Sequence, residues 1–320
     1  MIQLNNIIVY MNEEADLAAL KRGITVAKAY NAKITLMSVL ESYDSYTLLS
    51  SPNININAIE RQLVKSRNEQ LIKTVESIDH EGVTISIEVI VGDPAISIIR
   101  FVQSQNIDLL IKAPEPKDGP RQKHLGSIDM RLMRYCPCPV SIEPQKETEH
   151  TNRAIVALDY DADDEWLFRL NSSILNLALL AISGTHPDLY IVHAWSLYGY
   201  SYLADGLGRI PSDELKEMVA KERSERQNWL KNRMEIFRET LGKEQAIKFD
   251  PKTEVIEGKP ETVIPQRVDE IDADLLCMGT ASRSGLKGLL LGNTAEEILH
   301  RINCSVVVIK PADFVCPISP

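Results

Sequence analysis

Along this chain short apolar runs alternate with longer stretches whose apolar residues recur at the helical period of about 3.6, the rhythm of strands interleaved with helices. The apolar, β-branched runs Asn6–Tyr10, Lys33–Leu40, Val83–Val91 and Asp108–Lys112 predict four strands. Helical spacing predicts helices over about 15–30 and 59–79 and over Ala95–Ser104; Leu63, Leu71, Val75 and Ile78 form the inner face of the second. Ser42–Asn57 is polar and turn-rich and predicts a loop. Gly92-Asp93-Pro94 ends one strand and starts the next helix, because proline presets the first helical turn. The polar Pro144–Asn152 has no period and predicts a linker. The same grammar then restarts: strand Arg153–Leu158, helix Glu165–Ser183 stopped by Gly184, strand Asp188–Trp195, a long helix within Pro211–Leu241, and strand Lys252–Ile256. Strand alternating with helix predicts parallel sheets covered on both faces.

The last stretch, Leu275–Pro311, is the most specific. Leu275–Met278 is a short buried-strand run, and glycines follow at 279, 285, 288 and 292. Ala295, Ile298, Leu299 and Ile302 then keep helical spacing, and Val306–Ile309 is a β-branched strand that pairs in kind with Pro139–Ile142 of the first half. Asn293-x-x-Glu296 and Thr294-x-x-Glu297 are both capping-box patterns, and Asn293 is expected to cap the helix. Strand, glycine loop and helix together aim backbone N–H groups and the positive end of a helix dipole at one point, which suits a phosphate or another anion.

The chain repeats itself. Gly92 and Gly258, Pro94 and Pro260, Asp108 and Asp274, Gly126 and Gly292, and Cys138 and Cys304 all lie 166 positions apart. A constant offset over so many positions marks two copies of one domain, here taken as 1–146 and 152–320. At that offset Gly279 faces Ala113, Ser282 faces Pro116, Asn293 faces Ser127 and Thr294 faces Ile128. Pro114, Pro116 and Pro120 restrict the backbone where the second copy has glycine-like freedom, so the first loop is expected to be degenerate. Asn12 of the first copy likewise corresponds to Asp159 of the second, at the earlier offset of 147.

Composition narrows the function. The net charge of −10 excludes electrostatic binding to nucleic acid or to an anionic membrane surface. Met1–Tyr10 has no leader pattern and the longest apolar run, near Ile174–Ile182, is too short to span a bilayer, so a cytoplasmic protein is expected. Five cysteines, an odd number, fit a reducing compartment with free thiols. Cys136-Pro-Cys138 has one intervening residue, too few for the usual metal-ligand pair, and is assigned to core packing and a turn. The six histidines form no pair at metal spacing, there is no G-x-S-x-G elbow, and no nucleophile stands with a base. No catalytic or metal site is therefore expected. His193, in a strand, reads as a packed core histidine, and Arg283 and Lys287 as loop cations facing either phosphate or solvent.

Gly279, Gly292 and the Arg283-Ser284-Gly285-Leu286 between them resemble the nucleotide loop of universal stress proteins, Gly-x2-Gly-x9-Gly-(Ser/Thr). Two positions depart: Ser282 replaces the second glycine and Asn293 the terminal hydroxyl residue. The resemblance implies two tandem α/β domains of the Rossmann-like, adenine nucleotide alpha hydrolase-like kind, each with a five-stranded parallel sheet and helices on both faces. It implies an intramolecular pseudo-dimer through the last strands, with higher oligomers open. It further implies a stress-response protein active in growth arrest and in resistance to DNA damage. Its ligand would be ATP or another adenine nucleotide, with magnesium undecided, held by Asp159, Ala194, Met278, Gly279, Ser282, Gly292, Asn293 and Thr294. Of these, Asp159 would meet the ribose or base, or else serve as a turn or capping aspartate in Asp159-Tyr-Asp161-Ala-Asp163-Asp164. Two other readings stay open: a carrier of an apolar or lipid-like molecule in a second-domain cavity beside Leu197–Pro211, and a weak ATPase.

Overall fold

The computed structural model of the chain describes residues 3–12, 16–41, 56–80, 82–115, 125–144, 151–162, 164–182, 188–197, 199, 210–280 and 291–320. The first half runs β1 (Asn6–Tyr10), α1 (Leu17–Tyr30), β2 (Lys33–Leu40), α2 (Ile56–Glu76), β3 (Ile85–Val91), α3 (Pro94–Gln105), β4 (Leu109–Lys112), α4 (Ser127–Tyr135) and β5 (Val140–Ile142). The second runs β6 (Arg153–Ala157), α5 (Glu165–Ala181), β7 (Asp188–Trp195), α6 (Ser212–Glu239), α7 (Lys243–Lys248), β8 (Lys252–Glu257), α8 (Pro260–Glu270), β9 (Leu275–Gly279), α9 (Asn293–Leu299) and β10 (Ser305–Ile309). Helix α2 starts inside the polar segment expected to be a loop; residues 42–55 of that segment lie outside the described residues.

All ten strands form one sheet in the order β3-β2-β1-β4-β5-β10-β9-β6-β7-β8. Every pairing is parallel except β5 with β10, which meet antiparallel with Val307 opposite Ser141. Outward from that seam the two halves have the same strand order, so the repeat in the sequence is a pseudo-twofold in space. Period-two alternation makes two cores. Ile7 and Val9 pack with Val156, Leu170 and Leu230 on one face; Ile8 and Tyr10 pack with Ile98, Ile264 and Leu299 on the other.

The repeated residues explain themselves locally. The Asp108 carboxylate accepts from the amides of Asn5 and Asn6 at 2.7 and 2.9 Å, and Asp274 does the same for Asn152 and Arg153 at 2.7 and 3.0 Å. Each aspartate therefore clasps the start of its domain's first strand. Gly92 and Gly258 take φ of 157° and 144° at the turn into α3 and α8, a region that L side chains avoid. A Cβ at 258 would also stand 2.4 Å from Val263 Cγ1.

Side chains stitch the seam. Arg134 on α4 donates to Glu296 on α9 at 2.9 Å, and Arg22 on α1 donates to the Ala181 carbonyl at the end of α5. The Lys310 ammonium donates to the Met133 carbonyl of α4 and, at 3.2 Å, to Thr280 Oγ1. Burial pushes Lys310 down to about 8 from 10.5. An unfolded lysine keeps its proton to about pH 10.4, so between roughly pH 8 and 10 the unfolded chain binds the extra proton and stability rises with pH. Relative to Lys310→Met, the wild type should gain on the order of 3 kcal/mol across that window in urea unfolding. A difference that stays flat with pH would show that Lys310 is not held in this way.

Candidate functional site

In an open α/β sheet the cleft for a ligand lies beyond the carboxyl ends of the strands where connections diverge. In the second half those ends belong to β6, β7 and β9. The ladder between β6 and β7 stops at Ala157 opposite Val192, with a last bond from the Leu158 amide to the Val192 carbonyl at 3.0 Å. Strand β7 continues to Trp195, whose carbonyl accepts from Gly258 on the far side at 2.7 Å. Successive peptides of a strand point to opposite sides, so the Ala194 amide and carbonyl face the side that β6 has left. Among the described residues that edge has no ladder partner, and it suits the hydrogen-bonding edge of a planar ligand.

The chain leaving β6 turns on a buried charge. Asp161 is 2% exposed and takes Trp229 Nε1 and Arg233 on one oxygen, each at 2.6 Å, and Asn171 Nδ2 on the other at 2.9 Å. Asn171 in turn grips Asp159, donating to its carbonyl at 2.7 Å and accepting from its amide at 3.2 Å. Asp159 is thereby fixed at the cleft, half-buried, with its own carboxylate on the Tyr160 amide at 2.9 Å. Asp164 caps α5 through the Leu167 amide at 3.0 Å.

Beside this turn stands a cluster of rings and one cation. Arg226 lies 4.3 Å over Tyr160 and 5.6 Å from the Trp195 ring. His193 is 2% exposed, with Nδ1 3.0 Å from the Leu158 carbonyl and Nε2 3.3 Å from Arg226. Arginine only donates, so Nε2 accepts and the proton sits on Nδ1. His193 is the satisfied core group that its place in the strand predicts. Trp195 Nε1 and Arg226 Nε are buried and find no acceptor among the described residues.

The first half repeats this arrangement with different chemistry. Arg67 matches Arg226 when the long helices are aligned on Leu71 and Leu230, and it reaches Ser38 Oγ and the Met11 carbonyl, both at 2.9 Å. The loop positions differ more. Lys112 at the end of β4 is 2% exposed and pairs with Asp129 of α4, which is fully buried. Asp129 also takes the amides of Gly126 and Glu115 at 2.7 and 3.1 Å. The Glu115 carboxylate accepts from Ile128 and Asp129 at 2.6 and 3.3 Å, so the first amides of α4 already hold an anion from their own chain. At the repeat offset Lys112, Glu115 and Asp129 become Met278, Ala281 and Ala295.

The structure brings Asp159 and Ala194 to the cleft and sets Met278, Gly279, Gly292, Asn293 and Thr294 around the neighbouring strand end. Met278 is a core residue, 5% exposed. Gly279 is a packing glycine: a Cβ there would meet Leu170 and Ile174 at 3.2 Å. The Gly292 amide donates to the Thr280 carbonyl at 3.1 Å and closes the neck of the segment between them. Ser282, Arg283 and Lys287 lie outside the described residues, as does most of Leu197–Pro211. Asn293 does not cap α9; Gly292 occupies the cap at φ −63°, ψ 140°, and Asn293 is the first helical residue. Neither capping box forms, because Glu296 is turned toward Arg134 across the seam and Glu297 lies 4.0 Å from Arg301. Glu115 and the two matched arginines are absent from the sequence reading, and Asp161 appears there only as one member of the acidic stretch, with no role of its own. Aligning the two long helices would have found the arginines.

A family model described as the universal stress protein family matches residues 4–142 and 176–310. Universal stress protein E of Photorhabdus laumondii is 26% identical over 99% of this chain and 98% of its own length. Its namesake from Escherichia coli K12 is 25% identical over 98% and 96%. In fold, a universal stress protein from Archaeoglobus fulgidus superposes with a TM-score of 0.60 at 18% identity, covering 98% of both chains. A Pseudomonas aeruginosa structure of the same designation reaches 0.66 at 22%, covering 97% of this chain and 94% of its own.

Proposed function

Since the chain belongs to the universal stress protein family, we propose that it is a stress-response protein acting by binding, with one adenine-nucleotide-type site per chain in the second domain. The division taken is 1–146 and 152–320. The observation that carries this reading is the asymmetry between the halves. In the first, Glu115 and Asp129 already satisfy the amides at the helix start and Lys112 neutralises them. In the second, the corresponding residues are Ala281, Ala295 and Met278, which offer no carboxylate. A phosphate needs amides that are not already paired; the Gly292 amide is held by the Thr280 carbonyl, so the amides of Asn293 and Thr294 are the ones proposed to take it, and the Ala194 edge, unladdered among the described residues, with Asp159 beside it supports a base and ribose next to them. Asp159, Ala194, Met278, Gly279, Ser282, Gly292, Asn293 and Thr294 are the proposed contacts. The protein acts in the cytoplasm; no helix among the described residues is long and apolar enough to cross a membrane.

The carrier reading is weaker. The apolar cleft lined by Val26, Leu109, Ile111, Leu177, Leu180 and Val307 lies between the domains, not inside the second, and Arg22 sits in its wall with Glu143 3.8 Å away.

Calorimetric titration with ATP should give one site per chain, lost in Gly292→Val and retained in Gly126→Val. Gly292 sits at φ −63°, which any residue adopts, so valine adds no backbone strain there and the expected loss is the close approach of the ligand; at Gly126 an added Cβ collides with the Glu115 side chain, so thermal melts accompany both variants. Two equal sites, or a Gly292→Val protein that binds as the wild type does, would move the ligand elsewhere. Native mass spectrometry of the purified protein would then identify an apolar ligand by its mass.

A further inference from the structure

Away from the cleft, three thiols and an amine meet on the other face of the sheet. Cys136 ends α4 and Cys138 precedes β5; both are buried and their Sγ atoms lie 3.5 Å apart, in contact. Cys316, on the C-terminal tail, packs against the same core and interacts electrostatically with Cys136 and Lys310. The tail is held on α3 by two side chains, with Arg100 donating to the Ser319 carbonyl and Gln103 to the Ile318 carbonyl, both at 3.1 Å. Lys310 is the cation facing the thiols, with Arg134 beside it, and Asp108 is the carboxylate facing Cys138. In the second domain the same two positions are Ile302 and Cys304, so the pair is not required by the fold.

We propose that Cys136 and Cys138 form an oxidisable dithiol, closed to a disulfide by hydroperoxides and gated by the C-terminal tail. One sulfur attacks the peroxide, the O–O bond breaks, and the peroxide leaves reduced to an alcohol while the sulfur becomes a sulfenic acid. The second thiol then displaces the hydroxyl as water and the S–S bond forms, with two hydrogens lost from the protein. The thiols already touch, so closure needs side-chain rotation within one turn and no long-range movement. Burial pushes the Cys138 thiol well up, which keeps the pair inert until the tail lifts. Arg100, Gln103 and Trp166 hold this segment by three side-chain hydrogen bonds, which must release for the pair to open. Closure tightens the turn just beyond the Met133 carbonyl, which holds Lys310, and Lys310 holds Thr280 at the neck of the second-domain loop. An oxidant signal in the first domain thus has a bonded route to the second.

The test exposes the native full chain to tert-butyl hydroperoxide, blocks remaining thiols with N-ethylmaleimide, and maps tryptic peptides. The expected result is a loss of two hydrogens confined to the peptide holding both Cys136 and Cys138, reversed by dithiothreitol and unchanged in Cys316→Ser. Cys138→Ser should abolish it. A disulfide to Cys304 or Cys316 would overturn the proposal. So would native thiols that stay unmodified while urea-unfolded protein reacts, since that pattern belongs to buried packing residues.

Discussion

Asp161→Ala should lower the unfolding free energy by about 3–5 kcal/mol, the usual loss when one partner of a buried ion pair is removed. The Asp161 carboxylate is wholly buried and its partner Arg233 is 8% exposed at the side chain. Without it, Arg233 keeps, among the described residues, its face-on contact with Phe168 at 3.9 Å, and Trp229 Nε1 and Asn171 Nδ2 each lose an acceptor. Water cannot enter easily to replace these bonds, so the charge stays uncompensated. Asp159→Ala, two residues earlier, is the control: its carboxylate accepts from the adjacent amide and is half-buried, and its loss should stay within about 1 kcal/mol. Urea unfolding of both variants measures the contrast. The same network grips Asp159 through Asn171, so Asp161→Ala should also weaken ATP binding in whatever fraction remains folded. If the two variants lose equal stability, Asp161 is not the hub of this turn.

These two aspartates show what the sequence could and could not reveal. The alternation of strand and helix and the repeat were legible, and the strands β1, β2 and β7 were legible to the residue, because apolar periodicity reports which face of a strand is buried; the helices α4, α7 and α8 were not assigned. The seam came from the family resemblance, which implies a contact through the last strands, and not from the residue pattern. Four acidic residues in Asp159–Asp164 were not separable, since one-dimensional pattern says nothing about which carboxylate meets an arginine more than seventy positions away on α6. Glu115 was hidden for a similar reason. It stands in a proline-rich stretch that reads as a mere broken loop, and its role appears only when the fold lays it over the amides of α4. The capping boxes at Asn293 and Thr294 failed because the glycine before them took the cap and Glu296 found a partner in the other domain. Local motifs lost to tertiary partners in each case.

Asp129→Ala should be as damaging in the first domain as Asp161→Ala is in the second, and here the chain itself supplies the rescue. Lys112 is 2% exposed, so without Asp129 its ammonium keeps, among the described residues, the Ala113 carbonyl at 2.6 Å and the Tyr10 ring at 5.9 Å to offset burial. The expected loss is again about 3–5 kcal/mol. In the second domain the same two positions are Met278 and Ala295, 5% and 6% exposed in the equivalent core. A buried pair replaced as a whole by apolar residues is often neutral or better, because two desolvated charges leave together. Lys112→Met with Asp129→Ala should therefore recover most of the loss. Recovery will not be complete, since Asp129 also takes the Gly126 and Glu115 amides. Those donors would then cost about 1–3 kcal/mol between them if left unpaired. In the second domain the matching Gly292 amide uses the Thr280 carbonyl instead. The single variants, the double variant and the wild type form a cycle in urea unfolding, and a large favourable coupling between the two substitutions is the expected outcome. A double variant no more stable than Asp129→Ala would mean that the carboxylate acts mainly through the loop amides and that the ion pair is incidental.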